Sequence, residues 1–169
     1  MAGTAADREW LRAGRVGRPH GLDGSFLVAD PNPELLRSAE TVTIGGVART
    51  IERRAGHDRR VILRLEGCAD RDAADALRGQ DLFVGRERAP ALGEDEWWAE
   101  DLEGCAVRDG DRVVGTVVRL LALPSCEVLE VERAHGGDAL LVPLVSDAVR
   151  RVDVERHEID VNLAFLGEE

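Results

Sequence analysis

The chain has 169 residues, of which 44% are hydrophobic, so it is long enough for one large packed domain or two small ones. Its apolar runs stay short of the roughly 20 residues that a membrane span requires, and residues 1–7 lack the pattern of a signal peptide, so we expect a cytoplasmic protein. The net charge is −11, and most of it comes from residues 61–169, where twelve arginines stand against twenty-five acidic residues; this part disfavours general nucleic-acid binding and suits a basic partner.

Short strand patterns follow one another through the first half of the chain, and turn residues separate them. Gly45-Gly46 is a two-residue hairpin signal between two of these patterns. Val61, Leu63 and Leu65 alternate with charged residues, which predicts a strand with one buried face and one exposed face. The strands predicted in this half cover residues 25–29, 41–44, 47–51, 61–65 and 82–84.

One segment of the first half has the pattern of a short helix. It covers residues 70–77 and is rich in alanine. Asp70 or Asp72 can accept hydrogen bonds from the first free N–H groups of this helix. Gly79 is suited to end it. We therefore predict one short helix immediately before the last strand of the first half.

The strand pattern breaks at residues 86–96, which contain proline, glycine and a run of acidic residues without periodicity. Such a composition is typical of a linker. We predict a first domain over residues 8–86, a linker over residues 87–96 and a second domain over residues 97–169. Domains of this size lie within the usual range.

Strand patterns resume in the second half. Asp109-Gly110 is a hairpin signal, and Leu129 and Val131 alternate with Glu130 in a half-buried pattern. Many short strands at regular spacing favour small barrels. The predicted fold is therefore all-β, with two small β-barrel domains joined by a short linker and one short helix near the end of the first domain. The strands predicted in this half lie at residues 105–107, 112–121, around 129–131, 140–142, 149–152 and 159–161.

Residues 14–24 carry four glycines, but their spacing does not match a dinucleotide-binding loop and no helix follows them. The letters GXXG at residues 21–24 match the loop of KH domains, whose flanks are helices, whereas strands flank it here. A hairpin in which glycine supplies positive φ explains the glycines. It does not explain Arg15, Arg18 and His20 beside the turn, which a contact with RNA phosphates would explain. Both interpretations remain open.

The aromatic pair Trp97-Trp98 is preceded by Glu96. On an extended segment the two rings point to opposite faces, and one small core does not easily hold both. In one interpretation, one indole is exposed or lies under the linker and anchors a partner. In the other, one ring seals the core and the second packs on the neighbouring domain.

Residues suited to catalysis or metal binding do not form a recognisable motif. The histidines lie in separate segments without metal-ligand spacing, the serines lack a nucleophile-elbow context, and Cys68, Cys105 and Cys126 are too scattered for a disulfide framework or a zinc site. We expect no enzymatic activity, no metal and no cofactor. The four histidines are His20, His57, His135 and His157.

Several segments, in order along nearly the whole chain, resemble the RimM family of ribosome maturation factors. Residues 16–24 (VGRPHGLDG) are similar to its opening (I/V)G-x-x-HG-x-x-G motif, and residues 70–79 (DRDAADALRG) resemble its short helix. Residues 95–104 (DEWWAEDLEG) resemble the DEYY-x-x-DL-x-G motif that begins its second, PRC-type barrel. Residues 115–117 (GTV) and 141–145 (LVPLV) resemble later pieces of that barrel.

The resemblance implies a non-catalytic cytoplasmic protein that supports 16S rRNA processing and maturation of the 30S head. The implied partners are small-subunit ribosomal protein 19, the 30S precursor and its 16S rRNA, with no membrane and a monomeric chain. Trp97 and Trp98 replace the family's paired tyrosines, so they, with Glu96 and Asp101, become candidates for binding the ribosomal protein. Arg15, Arg18 and His20 become candidates for an rRNA contact.

Two departures from the family pattern stand out: the tryptophan pair lacks the phenol hydroxyls of the tyrosines, and residues 162–166 do not match the usual ending. PRC-type barrels also occur in proteins unrelated to ribosomes, so a general protein–protein adaptor is the alternative function. An RNA-processing nuclease is a third. It would require a carboxylate cluster for Mg²⁺, which the sequence does not suggest.

Overall fold

The computed structural model describes residues 9–168, which divide into two compact units with the boundary between Gly93 and Glu94. Residues 1–7, and residues 8 and 169 at the outer ends of the predicted domains, lie outside the described part. Each unit contains its own β-sheet, and the all-β class predicted from the sequence is confirmed. No helix within residues 9–168 is long and apolar enough to cross a membrane.

The first unit is a closed barrel of six strands in the order β1-β2-β5-β4-β3-β6. The barrel closes because β1 pairs with both β2 and β6, and each of these pairs is antiparallel. Gly45 and Gly46 connect β3 to β4 with φ of 55° and 79°, as the predicted hairpin requires. The strands are β1 (Trp10–Pro19), β2 (Phe26–Ala29), β3 (Thr41–Ile44), β4 (Val47–His57), β5 (Arg60–Leu65) and β6 (Asp81–Gly85).

The barrel core is built by alternate side chains of these strands. Leu63 and Leu65 of β5 are fully buried, as their alternation with charged residues predicted, and so are Leu11 and Ala13 of β1. Full burial of a leucine contributes about 1.5–3 kcal/mol relative to exposure. The residues between the buried ones therefore point outward and form the surface of the barrel.

Two short helices accompany the barrel. The predicted helix is α2 (Arg71–Leu77), and of its two possible caps it uses Asp70, whose side chain accepts a 2.8 Å hydrogen bond from the N–H of Ala73. The other helix, α1 (Pro33–Ser38), was not predicted. Its six residues are too few to show a helical period, although Asn32 caps it and proline occupies its first turn.

The second unit is a six-stranded sheet in the order β10-β9-β8-β7-β12-β11. It curls into a half-barrel, but its hydrogen bonds leave β10 and β11 as edges, so it is more open than the predicted barrel. The pair β7–β12 is parallel, and the other pairs are antiparallel. The strands are β7 (Ala106–Asp109), β8 (Arg112–Ala122), β9 (Glu127–Arg133), β10 (Leu140–Pro143), β11 (Val149–Asp153) and β12 (Glu158–Val161).

The segment between the two sheets contains local structure that the sequence did not reveal. One turn of 3-10 helix covers Arg86–Arg88, inside the segment predicted as a linker. A further helix, α3 (Ala99–Leu102), follows Trp98. Its last residue, Leu102, is fully buried in the core of the second unit. Both elements are single turns, for which no periodic sequence signal exists.

Candidate functional site

Arg15, Arg18 and His20, the residues predicted to contact RNA, are all exposed on one side of the barrel. The two arginines lie on β1, and His20 is the first residue after it. The N–H of His20 donates a 2.7 Å hydrogen bond to the carbonyl of Ser25, which begins the return to β2. The glycine-rich segment is therefore a hairpin, as predicted, and the three basic residues lie along it.

Asp23 fixes the conformation of this hairpin loop. Its carboxylate accepts a 3.2 Å hydrogen bond from the N–H of Ser25 and lies 3.2 Å from Arg53 and 3.7 Å from Arg64, on strands β4 and β5. The pKa of Asp23 is lowered, first by its hydrogen bonds with Ser25 and then by the charge of Arg53. The loop is thus tied to two neighbouring strands through one ionised carboxylate.

Gly24 holds the other side of the loop. Its φ is +84°, and a Cβ atom there would lie 2.0 Å from the carbonyl oxygen of Cys68, so only glycine fits. The carbonyl of Gly21 also accepts a 3.4 Å hydrogen bond from Arg71. Leu22, at the tip, remains 78% exposed. The loop backbone is anchored while its tip stays available to a partner.

The two β1 arginines differ in their electrostatic surroundings. Arg15 lies 3.5 Å from Asp81, which also pairs with Arg12 at 3.0 Å. The guanidinium of Arg18 has no ion-pair or hydrogen-bond partner among residues 9–168. Since Arg18 spends no charge on an internal pair, it is the more available of the two for an external anion.

Sequence reasoning missed further basic residues on the same side of the barrel. Strands β4 and β5 carry two Arg-Arg pairs, at residues 53–54 and 59–60, on either side of their connecting turn. A paired repeat of this kind next to a predicted hairpin was a usable signal. What it could not give is the strand register, which brings these arginines close to β1.

The tryptophan segment is positioned by the core of the second unit. Trp97 is half-buried and packs against that core, whereas Trp98 is 8% exposed. Neither indole is fully exposed, so the ring available to a partner is the partly covered Trp97. Its contact with the core matches the sealing role in one of the two predicted alternatives.

The candidate carboxylates Glu96 and Asp101 lie on either side of the tryptophan pair. Glu96 is exposed and Asp101 is partly exposed. The backbone around Asp101 is fixed, because its N–H donates to the carbonyl of Trp98 at 3.0 Å and its own carbonyl accepts from the Sγ of Cys105 at 3.2 Å. The acidic groups thus have a defined place beside the aromatic ring.

Metal binding and catalysis find little support in the geometry. Within the described part of the chain, no three His, Cys, Asp or Glu side chains come together where they could hold a metal ion. The nearest approach of a thiol to an imidazole joins the Sγ of Cys105 and the Nδ1 of His157 at 4.0 Å. Cys105 is fully buried, so substrate cannot reach this pair in the observed conformation.

Comparison with known proteins relates both units to one family. Residues 11–89 match the model of the RimM N-terminal domain, and residues 99–164 match that of the RimM PRC barrel domain. The ribosome maturation factor RimM of Sorangium cellulosum is 36% identical over 164 residues, which cover 92% of this chain and 95% of the relative. That of Acidothermus cellulolyticus is 34% identical over 158 residues, covering 90% and 89%.

A solved structure, the N-terminal domain of RimM from Thermus thermophilus, is 28% identical to the chain. The match covers 50% of this chain and 98% of that domain, with a TM-score of 0.44. The two matching family models leave residues 90–98 between them, and this interval contains Trp97 and Trp98.

Proposed function

The chain belongs to the RimM family of ribosome maturation factors, and we propose that it binds the maturing small (30S) ribosomal subunit through small-subunit ribosomal protein 19. In this proposal it supports 16S rRNA processing by binding alone, as a monomer in the cytoplasm. The observation that carries the proposal is the uneven charge. Residues 61–169 hold twelve arginines and twenty-five acidic residues, whereas residues 1–60 hold ten and eight.

The acidic part of the chain is suited to a basic protein partner. Ribosomal proteins are basic, and complementary charge accelerates their approach and selects among them. Trp97 offers a partly covered aromatic surface, with the carboxylates of Glu96 and Asp101 on either side in sequence. An aromatic anchor with charged neighbours is a common arrangement at interface hot spots, and an arginine of the partner stacked on the indole would add about 0.5–2 kcal/mol.

The β1–β2 hairpin is suited to rRNA. Arg15, Arg18 and His20 are exposed along it, and the loop that follows is held in place by Asp23 and Gly24. A fixed loop loses little conformational entropy on binding, which favours affinity. The two partners would therefore engage separate units of the chain.

Family membership also bears on the alternative functions. The match of residues 11–89 to the RimM N-terminal domain favours a ribosome maturation factor over a general adaptor built on a PRC-type barrel. A nuclease would need carboxylates gathered around Mg²⁺, and the described residues hold no such group. Binding without chemistry is the function these features support best.

The test is binding of the purified full-length chain to isolated 30S precursors, mature 30S subunits, 50S subunits and ribosomal protein 19 alone. We expect binding to the precursor and to ribosomal protein 19, and none to 50S subunits. Equal binding to all particles would contradict a specific role. Precursor 16S rRNA incubated with the chain and Mg²⁺ should stay intact, and cleavage by the pure protein would overturn the non-catalytic assignment.

A further inference from the structure

Strands β1, β2, β5 and β4 lie side by side in the barrel and present one continuous outward face. Successive side chains of a strand point to opposite sides. On β5, Val61 and Leu63 are buried, so Arg60, Ile62 and Arg64 point outward. The same alternation selects the outward residues of the three other strands.

The strand register brings basic side chains from three strands onto this face. On β4, Arg53 pairs with Arg64 and His57 pairs with Arg60. On β2, Leu27 pairs with Ile62 of β5, and its next outward residue, Ala29, pairs with Arg15 of β1. We call this surface the basic face. Its basic members are Arg15, Arg18, Arg53, His57, Arg60 and Arg64.

The dimensions of the basic face follow from sheet geometry. Neighbouring strands are about 4.8 Å apart, so β1 and β4 are separated by about 14 Å, and outward residues along one strand are about 7 Å apart. The centre of the face holds small aliphatic groups, Leu27, Ala55 and Ile62, all partly buried. Basic groups thus surround a shallow apolar centre over a patch roughly the width of one nucleic-acid groove.

Internal ion pairs neutralise only part of this charge. Arg53 and Arg64 share Asp23, and Arg64 also contacts Glu52 at 3.2 Å. In contrast, the guanidinium of Arg60 has no polar partner among residues 9–168, and neither does that of Arg59 in the adjoining turn. With Arg18, three exposed guanidinium groups on or beside the face therefore lack an internal counter-charge.

We propose that the basic face binds the sugar–phosphate backbone of duplex RNA. Guanidinium groups suit phosphate oxygens, which they can bind through two parallel hydrogen bonds. The face carries no Phe or Trp side chain on which unstacked bases could lie, which separates it from the usual platforms for single-stranded RNA. Because the chain as a whole carries a net charge of −11, a polyanion meets favourable potential at this patch and repulsion from the acidic half.

The proposal rests on the rRNA contact proposed for Arg15 and Arg18 and enlarges it from one hairpin to four strands. Its new content is the part carried by β4 and β5, which sequence reasoning did not identify. The basic face predicts that Arg59 and Arg60 contribute to RNA affinity as much as the β1 arginines do.

Three double variants of the full-length chain test this, and each removes two positive charges. Arg59→Ala with Arg60→Ala alters the β4–β5 side of the face, and Arg15→Ala with Arg18→Ala alters the β1 side. Arg112→Ala with Arg156→Ala is the control, because both arginines are exposed in the second unit and their guanidinium groups have no partner in the described part of the chain. Its net charge equals that of the other two variants.

The probes are a transcribed RNA hairpin with a 20-base-pair stem and a 20-nucleotide single strand of uridines, measured by fluorescence anisotropy between 50 and 200 mM salt. Removing one phosphate-binding arginine lowers the salt slope by about one unit. A fourfold rise in salt should therefore weaken hairpin binding about tenfold less in the β4–β5 variant than in the wild type. The control variant should keep the wild-type slope. Melting temperatures should be unchanged in all three, since the altered side chains are exposed.

The outcomes separate this proposal from the one on which it rests. If the Arg59/Arg60 variant behaves like the control while the Arg15/Arg18 variant loses affinity, the basic face is wrong and the hairpin contact stands. If neither loses affinity, both RNA contacts are wrong. Equal affinity for the single strand would overturn the duplex assignment. If polyglutamate competes as well as the RNA hairpin does, the ligand is an acidic protein and the proposal falls.

Discussion

Replacing Trp97 and Trp98 with alanine one at a time separates a structural role of the aromatic pair from a role in binding. Trp98 is 8% exposed, and truncating a fully buried tryptophan costs about 3–5 kcal/mol. Trp97 is half-buried against the core of the second unit, so we expect about half that cost, roughly 2 kcal/mol.

These costs convert into melting temperatures. In a domain of 60–100 residues, 1 kcal/mol shifts Tm by about 4–8 °C. The Trp97→Ala variant should therefore melt about 8–16 °C below the wild type, and the Trp98→Ala variant at least about 12 °C below it. A unit of this size has a total stability of about 4–11 kcal/mol, so the Trp98 variant approaches the limit of folding.

The binding assay uses ribosomal protein 19 at a temperature well below the Tm of the folded variant. If Trp97 anchors the partner, its loss should cost at least about 2 kcal/mol, which is roughly a thirtyfold weaker Kd. Replacing both tryptophans should abolish detectable binding. Glu96→Gln with Asp101→Asn is the companion variant, and it should slow association and reduce its salt dependence while leaving Tm unchanged.

Two results would refute this reasoning. If folded Trp97→Ala protein binds ribosomal protein 19 as well as the wild type does, the indole is not an anchor. If binding falls only at temperatures where the variant has melted, the pair serves the core and the interface lies elsewhere. Measuring Tm and Kd on the same samples distinguishes the two results.

The remaining predictions concern RNA, the fold and acid stability. Arg15→Ala with Arg18→Ala should weaken sedimentation with 30S precursors while leaving Tm unchanged, and unchanged affinity and salt slope would reduce the loop to a hairpin. Asp70→Ala should cost about 1 kcal/mol in urea unfolding, because α2 loses its cap, and no change would contradict that role. Limited proteolysis should cut first within residues 87–96, and earlier cutting inside a strand would argue against two domains. Because the pKa of Asp23 is lowered by folding, its stabilisation is present above the ordinary pKa of 3.8 and lost as pH falls below it, so Asp23→Asn should flatten the acid limb of a Tm–pH curve.

Local signals in the sequence were enough for most elements of the fold. The Gly45-Gly46 hairpin and the cap at Asp70 each depend on a few adjacent residues, and both were predicted correctly. Helices α1 and α3 were missed because six and four residues cannot display a helical period. The cap and proline at the start of α1, Asn32 and Pro33, were the only local indication of it.

Non-local features were beyond a single sequence. The parallel pairing of β7 with β12 joins residues about 50 positions apart, and no turn signal marks such a contact. The openness of the second sheet follows from the same long-range choice of neighbours. The basic face has the same origin, since the arginines of β4 and β1 become neighbours only through the register of β5 and β2.

For the candidate site, the sequence identified residue types better than it identified exposure. The exposed positions of Arg15, Arg18 and His20 follow from the hairpin that the glycines predicted. The tryptophans are different, because the burial of an indole depends on which strands and helices surround it. Trp97 packs on a core whose members come from α3 and several distant strands, and a local pattern does not contain that information.

The closure of the first barrel by β6 at residues 81–85 has a consequence for synthesis on the ribosome. Every hydrogen-bonded pair of that barrel is available once residue 85 has left the exit tunnel, so the first unit can fold while the second is still being made. The second sheet has no such freedom, because β12, at residues 158–161, is an interior strand between β7 and β11. The acidic unit must therefore wait for nearly the last residue of the chain, and its edges stay unpaired until then.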